Sequence, residues 1–213
     1  KPISYSISIV DKLDTLVGFF LINEKPTSSK DPFALRRSAI GLLRTIIENK
    51  LNIKIRDLIS YSITLFQDQG VKLENENTEK EILYFLKERM RNILKEKNIK
   101  NDIIEASISS HISDNYLDLF KKSILMNRYI NEDIGKNVIY SYKRASNILN
   151  NETKEIFGKP DAVLFRKEEE KSLFEKINEI RKAFTVKEED KNYENLLIQL
   201  SEIKSYTDSF FDN

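Results

Sequence analysis

Apolar residues recur along this chain at three- and four-residue spacing, and nearly every long segment carries that period. Leu13, Leu16, Val17 and Phe20 share one face. A polar stretch follows at 23–29, with Pro26 and a Thr-Ser-Ser run, and reads as a loop. Asp31 then suits an N-cap and Pro32 the first helical position, opening a helix over 32–50 that buries Leu35, Ala39, Leu42, Leu43 and Ile46. Residues 53–67 continue as a helix through Ile55, Leu58, Ile59 and Phe66. The polar break at 70–77 is the expected boundary between two domains, 1–72 and 73–213. Thr78 and Glu81 read as a capping box that starts a helix with Ile82, Leu86, Met90, Ile93 and Leu94 inward. Two shorter helices are expected at 101–111 and 114–127, the second burying Leu117, Phe120 and Ile124. A long one at 132–150 runs through Ile134, Val138, Tyr142, Ala145 and Leu149. Two more close the pattern: 167–184 through Leu173, Ile177 and Ile180, and one capped by Asp190 that runs through Tyr193, Leu197, Leu200 and Ile203 to Phe210.

The opening ten residues depart from this period. Ile3, Tyr5, Ile7 and Ile9 alternate as a strand would, yet they run without a break into the Leu13 helix. A helix or a loose lead-in is expected there, and a chain that opens in mid-pattern is expected to be a portion of a longer one. The predicted class is all-α, a helical bundle in two parts. Five glycines and four prolines in 213 residues leave few tight turns for an all-β fold, and no fixed repeat points to a solenoid.

Composition narrows the chemistry. No cysteine is present, which excludes disulfides and thiolate metal sites and fits a reducing cytoplasm. The longest apolar run, 16–22, is too short to span a bilayer, so no membrane is expected. The lone histidine, His111, excludes a multi-histidine metal cluster within this sequence and reads as structural. No Gly-rich loop is available to cradle phosphates. No catalytic residue and no metal site are assigned.

A formal net charge of +1 argues against blanket attraction to nucleic acid, but the charge is uneven. Residues 87–100 hold six Lys/Arg against two Glu, while 167–213 hold eight against twelve acids. Tyr84, Lys87, Arg91 and Lys95 line up on the outer face of one predicted helix, a stripe suited to following an RNA backbone with Tyr84 stacked on a base. Lys136, Tyr140, Lys143, Arg144 and Asn147 share a face of another. Either stripe also reads as a solvated helix face in a lysine-rich chain.

The wording of several segments adds to this. D-K-L-D-T-L-V-G-F-F at 11–20, followed by K-P-T-S-S-K-D-P-F-A-L-R-R at 25–37, closely resembles the signature of the bacterial glycyl-tRNA synthetase β subunit family. F-L-K-E-R-M-R at 85–91, D-I-I-E-A at 102–106, K-R-A-S-N-I-L at 143–149, L-F-E at 173–175 and S-F-F-D-N at 209–213 resemble later family segments in the same order. Ser28 stands where that family usually has Gly, and the lead-in to Asp11 is atypical.

The resemblance implies the end of an HD-like helical domain, then a helical anticodon-binding domain similar to that of arginyl-tRNA synthetase. It further implies a portion that holds tRNA-Gly without catalysing anything, within a hetero-oligomer whose α subunit activates glycine. ATP and Mg²⁺ would be used by the whole enzyme, with no cofactor in this portion. V-D-K-L at 10–13 matches the last aspartate of the HD ligand set, making Asp11 a candidate HD-motif remnant; an ordinary pairing of Asp11 and Asp14 with neighbouring Lys or Arg is the simpler reading. Two other functions remain open on these residues: an HD-type phosphohydrolase fragment, and a helical scaffold that binds no RNA.

Overall fold

In the computed structural model the described residues are 2–72, 75–109, 114–151, 158, 160–185 and 192–212. Among them every regular element is helical, as the periodicity predicts. The helices are α1 (Pro2–Leu21), α2 (Leu35–Glu48), α3 (Ile55–Asp68), α4 (Thr78–Glu96), α5 (Asn101–Ser109), α6 (Tyr116–Tyr129), α7 (Asp133–Asn151), α8 (Glu168–Phe184) and α9 (Tyr193–Asp212), with a short 3₁₀ turn at Ala162–Leu164. His111 and Asp190 lie outside the described residues. The chain forms two compact units, Lys1–Ile124 and Leu125–Asn213, so the division falls inside α6 and the polar break at 70–77 lies within the first unit.

Unit 1 is organised around α1, which packs on α2, α3 and α4. Leu16, Val17 and Leu21 of α1 are fully enclosed, as are Leu42 and Leu43 of α2, Ile55 and Ile59 of α3, and Ile82, Leu86 and Met90 of α4. Within each set the residues are adjacent or four apart, so one stripe per helix is removed from water and burial stabilises all four together. At Gly18 a Cβ would meet the Phe66 ring at 3.1 Å, so the close approach of α1 to α3 leaves little room for a side chain. The enclosed Tyr116 hydroxyl is satisfied, donating to the Leu83 carbonyl at 3.2 Å. Arg56 bonds Asp114 (2.6 Å) and Glu79, and Ser60 donates to Glu79 at 2.7 Å, tying α3 to α4 and to the segment before α6.

Helix starts differ from the sequence expectation. The alternating apolar residues at 3–9 are helical, with Ile3 and Ile7 exposed and Ile9 buried. Pro32 is not the first residue of α2. It occupies a turn closed by the Ala34 N–H on the Asp31 carbonyl at 3.1 Å, with Ala34 left-handed at φ 54°. Asp31 still caps the helix, from four residues upstream, accepting from the N–H of Leu35 (2.8 Å) and Arg36 (3.0 Å). The turn lets Phe33 stack on Phe19 with ring centres 4.0 Å apart. The Thr78–Glu81 capping box does not form. Thr78 is already helical and buried, its hydroxyl donating to the Asn75 carbonyl at 2.7 Å, while Glu81 turns to Lys25 (2.5 Å) and Asn75 (2.6 Å).

In unit 2, α7 and α8 each pack against α9. Asn192 caps α9, accepting from the Asn195 N–H at 3.0 Å, and Glu170 accepts from the N–H of Arg166 (2.6 Å) and Lys167 (3.1 Å) at the start of α8. Burial here is sparser than the apolar period predicts. Tyr142 and Leu149, expected inward, are 71% and 62% exposed, and Ile177 and Phe210 are also on the surface. The seam of α7 against α9 runs instead past Ser141 and Arg144, one and two residues round the helix from Tyr142.

Candidate nucleic-acid interface

The sequence-predicted basic residues fall on two helices in different units. On α4, Tyr84, Lys87, Arg91 and Lys95 occupy one face across about 16 Å of helix axis. Burial of Ile82, Leu86, Met90, Ile93 and Leu94 on the opposite side forces this face outward. Tyr84 is 67% exposed and Lys95 is on the surface, while Lys87 is half-buried. Neither lysine makes an ion pair among the described residues.

Arg91 behaves differently. Its guanidinium grips Glu105 of α5 with two bonds, 3.0 and 2.7 Å, and also bonds Glu88. The hydrogen bonds it donates to Glu105 push the arginine further up, and Arg91 in turn holds the Glu105 carboxyl below its ordinary value. Arg91 is therefore a tie between α4 and α5 as well as a member of the stripe.

The α7 stripe repeats the arrangement. Lys143 is exposed and unpaired among the described residues, and Lys136 stands 4.0 Å from the exposed Asp133 carboxylate. Tyr140 is half exposed, with the Lys204 ammonium 5.1 Å from its ring centre. Arg144 reaches across to α9, bonding Asp208 at 2.7 Å and Asp212 at 2.6 Å, with its guanidinium 5.0 Å from the Phe211 ring centre. Those two bonds, the one to Asp212 first, push Arg144 up. Lys204, bonded at 2.8 Å, and then Arg144 hold Asp208 well into its charged form.

Each stripe thus combines lysines facing water, an open tyrosine and one arginine engaged with a neighbouring helix. Such a surface is rigid where the arginine sits and adaptable where the lysines end. Asp11, the HD-motif candidate, is exposed on α1 with Lys12 at 3.6 Å. Among the described residues no group of three or more His, Cys, Asp or Glu is gathered to hold a metal ion.

Residues the sequence reading did not single out gather at the Tyr84 end of the α4 stripe. Lys25 and Lys80 line the same cleft as Tyr84. Arg89 lies over the Phe85 ring at 4.5 Å, its Nε enclosed without a hydrogen-bond partner, and burial together with the nearby Arg36 pushes it down. The signal lay in two segments, K-P at 25–26 and F-L-K-E-R at 85–89, whose residues are distant in sequence and meet only through packing.

Comparison with known proteins matches both halves. Residues 1–109 fit the family model described as glycyl-tRNA synthetase beta subunit, and residues 138–213 fit the DALR anticodon binding domain. The chain is 40% identical over 207 residues to the glycine–tRNA ligase beta subunits of Rickettsia africae (strain ESF-5) and Rickettsia conorii (strain ATCC VR-613 / Malish 7). It is 37% identical over the same length to that of Rickettsia prowazekii (strain Madrid E). In each case 97% of this chain aligns, covering 29% of the relative.

Proposed function

The chain belongs to the glycyl-tRNA synthetase beta subunit family, and from that membership we propose that it is the portion of a glycine–tRNA ligase that holds tRNA-Gly. The match of residues 138–213 to an anticodon-binding domain carries this reading. It agrees with most of the α7 stripe, from Tyr140 to Asn147, lying inside that span, where Tyr140 and Lys143 face outward. Residues 1–72 would end an HD-like helical domain and 73–213 would form the anticodon-binding part.

Lysines meet phosphates as mobile point charges, so Lys87, Lys95, Lys136 and Lys143 would track the backbone while Tyr84 and Tyr140 offer ring faces to unstacked bases. Arg91 and Arg144 keep their charge within the stripes and fix the helices that carry them. Gripping the RNA far from the reacting end would hold the acceptor end near an α subunit that activates glycine, a contribution of positioning rather than of chemistry. ATP and Mg²⁺ would serve the assembled enzyme in the cytoplasm, and no residue of this chain is assigned to them. The test is a comparison of tRNA-Gly with a non-cognate tRNA in a salt titration. Tighter cognate binding that weakens steeply with salt is expected. Absence of binding by the folded chain, or no preference between the two RNAs, would overturn the reading.

A further inference from the structure

The surface around Tyr84 is more than the end of a basic stripe. Phe20, Lys25, Pro26, Lys80, Glu81, Tyr84 and Phe85 line a cleft of about 310 Å³ in unit 1, apolar at its floor and carrying two lysines and one glutamate. Three elements build it. Phe20 comes from the end of α1, Lys25 and Pro26 from the following loop, and the rest from the first two turns of α4. Phe20 and Phe85 pack with ring centres 5.4 Å apart and tilted at 57°, which fixes the floor, while Tyr84 stands open as one wall. The loop is anchored by Lys25 on Glu81 at 2.5 Å, and Asn75 donates to the same carboxylate at 2.6 Å. Lys25, the larger influence, thus holds Glu81 in its charged form and offsets that charge.

We propose that this cleft receives one unstacked RNA base, with Tyr84 against its face and Lys80 beside the adjoining phosphate. Its size falls at the lower limit for small-molecule pockets, fitting a single planar ring system. Every base presents a π-face, so an aromatic wall accepts it without needing a particular sequence. The charge around the rim favours an anionic occupant: the cleft's acidic residue, Glu81, is already paired with Lys25, and Lys80 makes no ion pair among the described residues. An apolar peptide side chain would fill the floor but would leave Lys80 unanswered.

The inference rests on the tRNA-holding reading and sharpens it, because it names the cleft and the lysine that would hold a base against Tyr84, outside the anticodon-binding match. The experiment measures tRNA-Gly affinity of the chain and of Tyr84→Ala, Tyr84→Phe and Lys80→Ala, and maps ultraviolet crosslinks to tRNA-Gly by mass spectrometry. Tyr84→Ala is expected to weaken binding about five- to 150-fold, the range for loss of one stacked base, while Tyr84→Phe keeps the affinity. Lys80→Ala should reduce the salt slope by about one unit. Nucleotide crosslinks should fall on Tyr84 or Phe85. Because Tyr84 is exposed, these variants leave the core untouched. Tight tRNA-Gly binding that is unchanged in Tyr84→Ala and Lys80→Ala, with crosslinks confined to α7, overturns the cleft and leaves the tRNA reading intact. No tRNA binding by the folded wild-type chain overturns both.

Discussion

The two units reach order by different means. Unit 1 encloses complete apolar stripes from four helices, with Leu16, Leu42, Ile59 and Leu86 at or near zero exposure. In unit 2 the buried apolar side chains among the described residues are Tyr129, Ile180 and Leu196. Its helices are joined instead by charge: Arg144 to Asp208 and Asp212, Lys176 to Glu202 at 2.7 Å, and Arg128 with Tyr129 to Glu194. Apolar burial adds stability in proportion to area, whereas partly exposed ion pairs add little and mainly fix geometry. A unit held mostly by directional ties leaves part of its apolar period at the surface, as Tyr142 and Leu149 show.

The largest expected effect separates the cores. Leu16→Ala should cost about 2–5 kcal/mol in urea unfolding, and Ile180→Ala a value at or below the lower end of that range, since its thinner surroundings can relax into the gap. Hydrogen exchange resolved by unit would assign each loss, and equal costs would erase the contrast. A second test divides RNA binding between the units. Lys87→Ala with Lys95→Ala, and Lys136→Ala with Lys143→Ala, should each lower the tRNA salt slope by about two units if every lysine meets one phosphate. An unchanged slope in one pair would show that those two lysines meet no phosphate.

A smaller change tests the ties themselves. Lys176 has a side chain only 10% exposed but its partner Glu202 is half exposed, so Lys176→Met, which keeps the stem, should cost less than about 1 kcal/mol. A cost of several kcal/mol would show that the ion pair, rather than packing of the stem, holds α8 on α9. The mildest probe is acid. Asp208 is held below its ordinary value by Lys204 and Arg144, so its ion pairs add stability above the unfolded value of about 3.9 and lose it as pH falls through the lower folded value. Exchange protection along α7 and α9 should therefore fall below pH of about 4 before that of the α1–α2 core, and Asp208→Asn should remove the dependence.

Much of unit 1 was legible beforehand. The inward residues of α2 and α4 named from periodicity are the buried ones, because a 3.6-residue period decides which side of a helix can leave water. Unit 2 was less legible. Its stripes in α7 and α8 have the same period, yet Tyr142, Leu149 and Ile177 stay exposed, since the α7 seam follows the arginine that finds acids on α9. Helix starts were legible only in part: Asp31 was recognisable as a cap, but from its position alone nothing showed that a turn through Pro32 would shift the helix three residues onward.

The sequence by itself determined the helical class, the inward stripes of unit 1 and the family, because periodicity and motif order are properties of neighbouring residues. Tertiary structure alone decided which cations face water. Arg91 and Lys95 share one face of the helix, yet it is Arg91 that bonds Glu105 of α5. It also decided that Lys25 and Tyr84, 59 positions apart, would line one cleft. A charge's freedom depends on the helix that packs against it, and that partner is fixed by burial of the core rather than by adjacent residues.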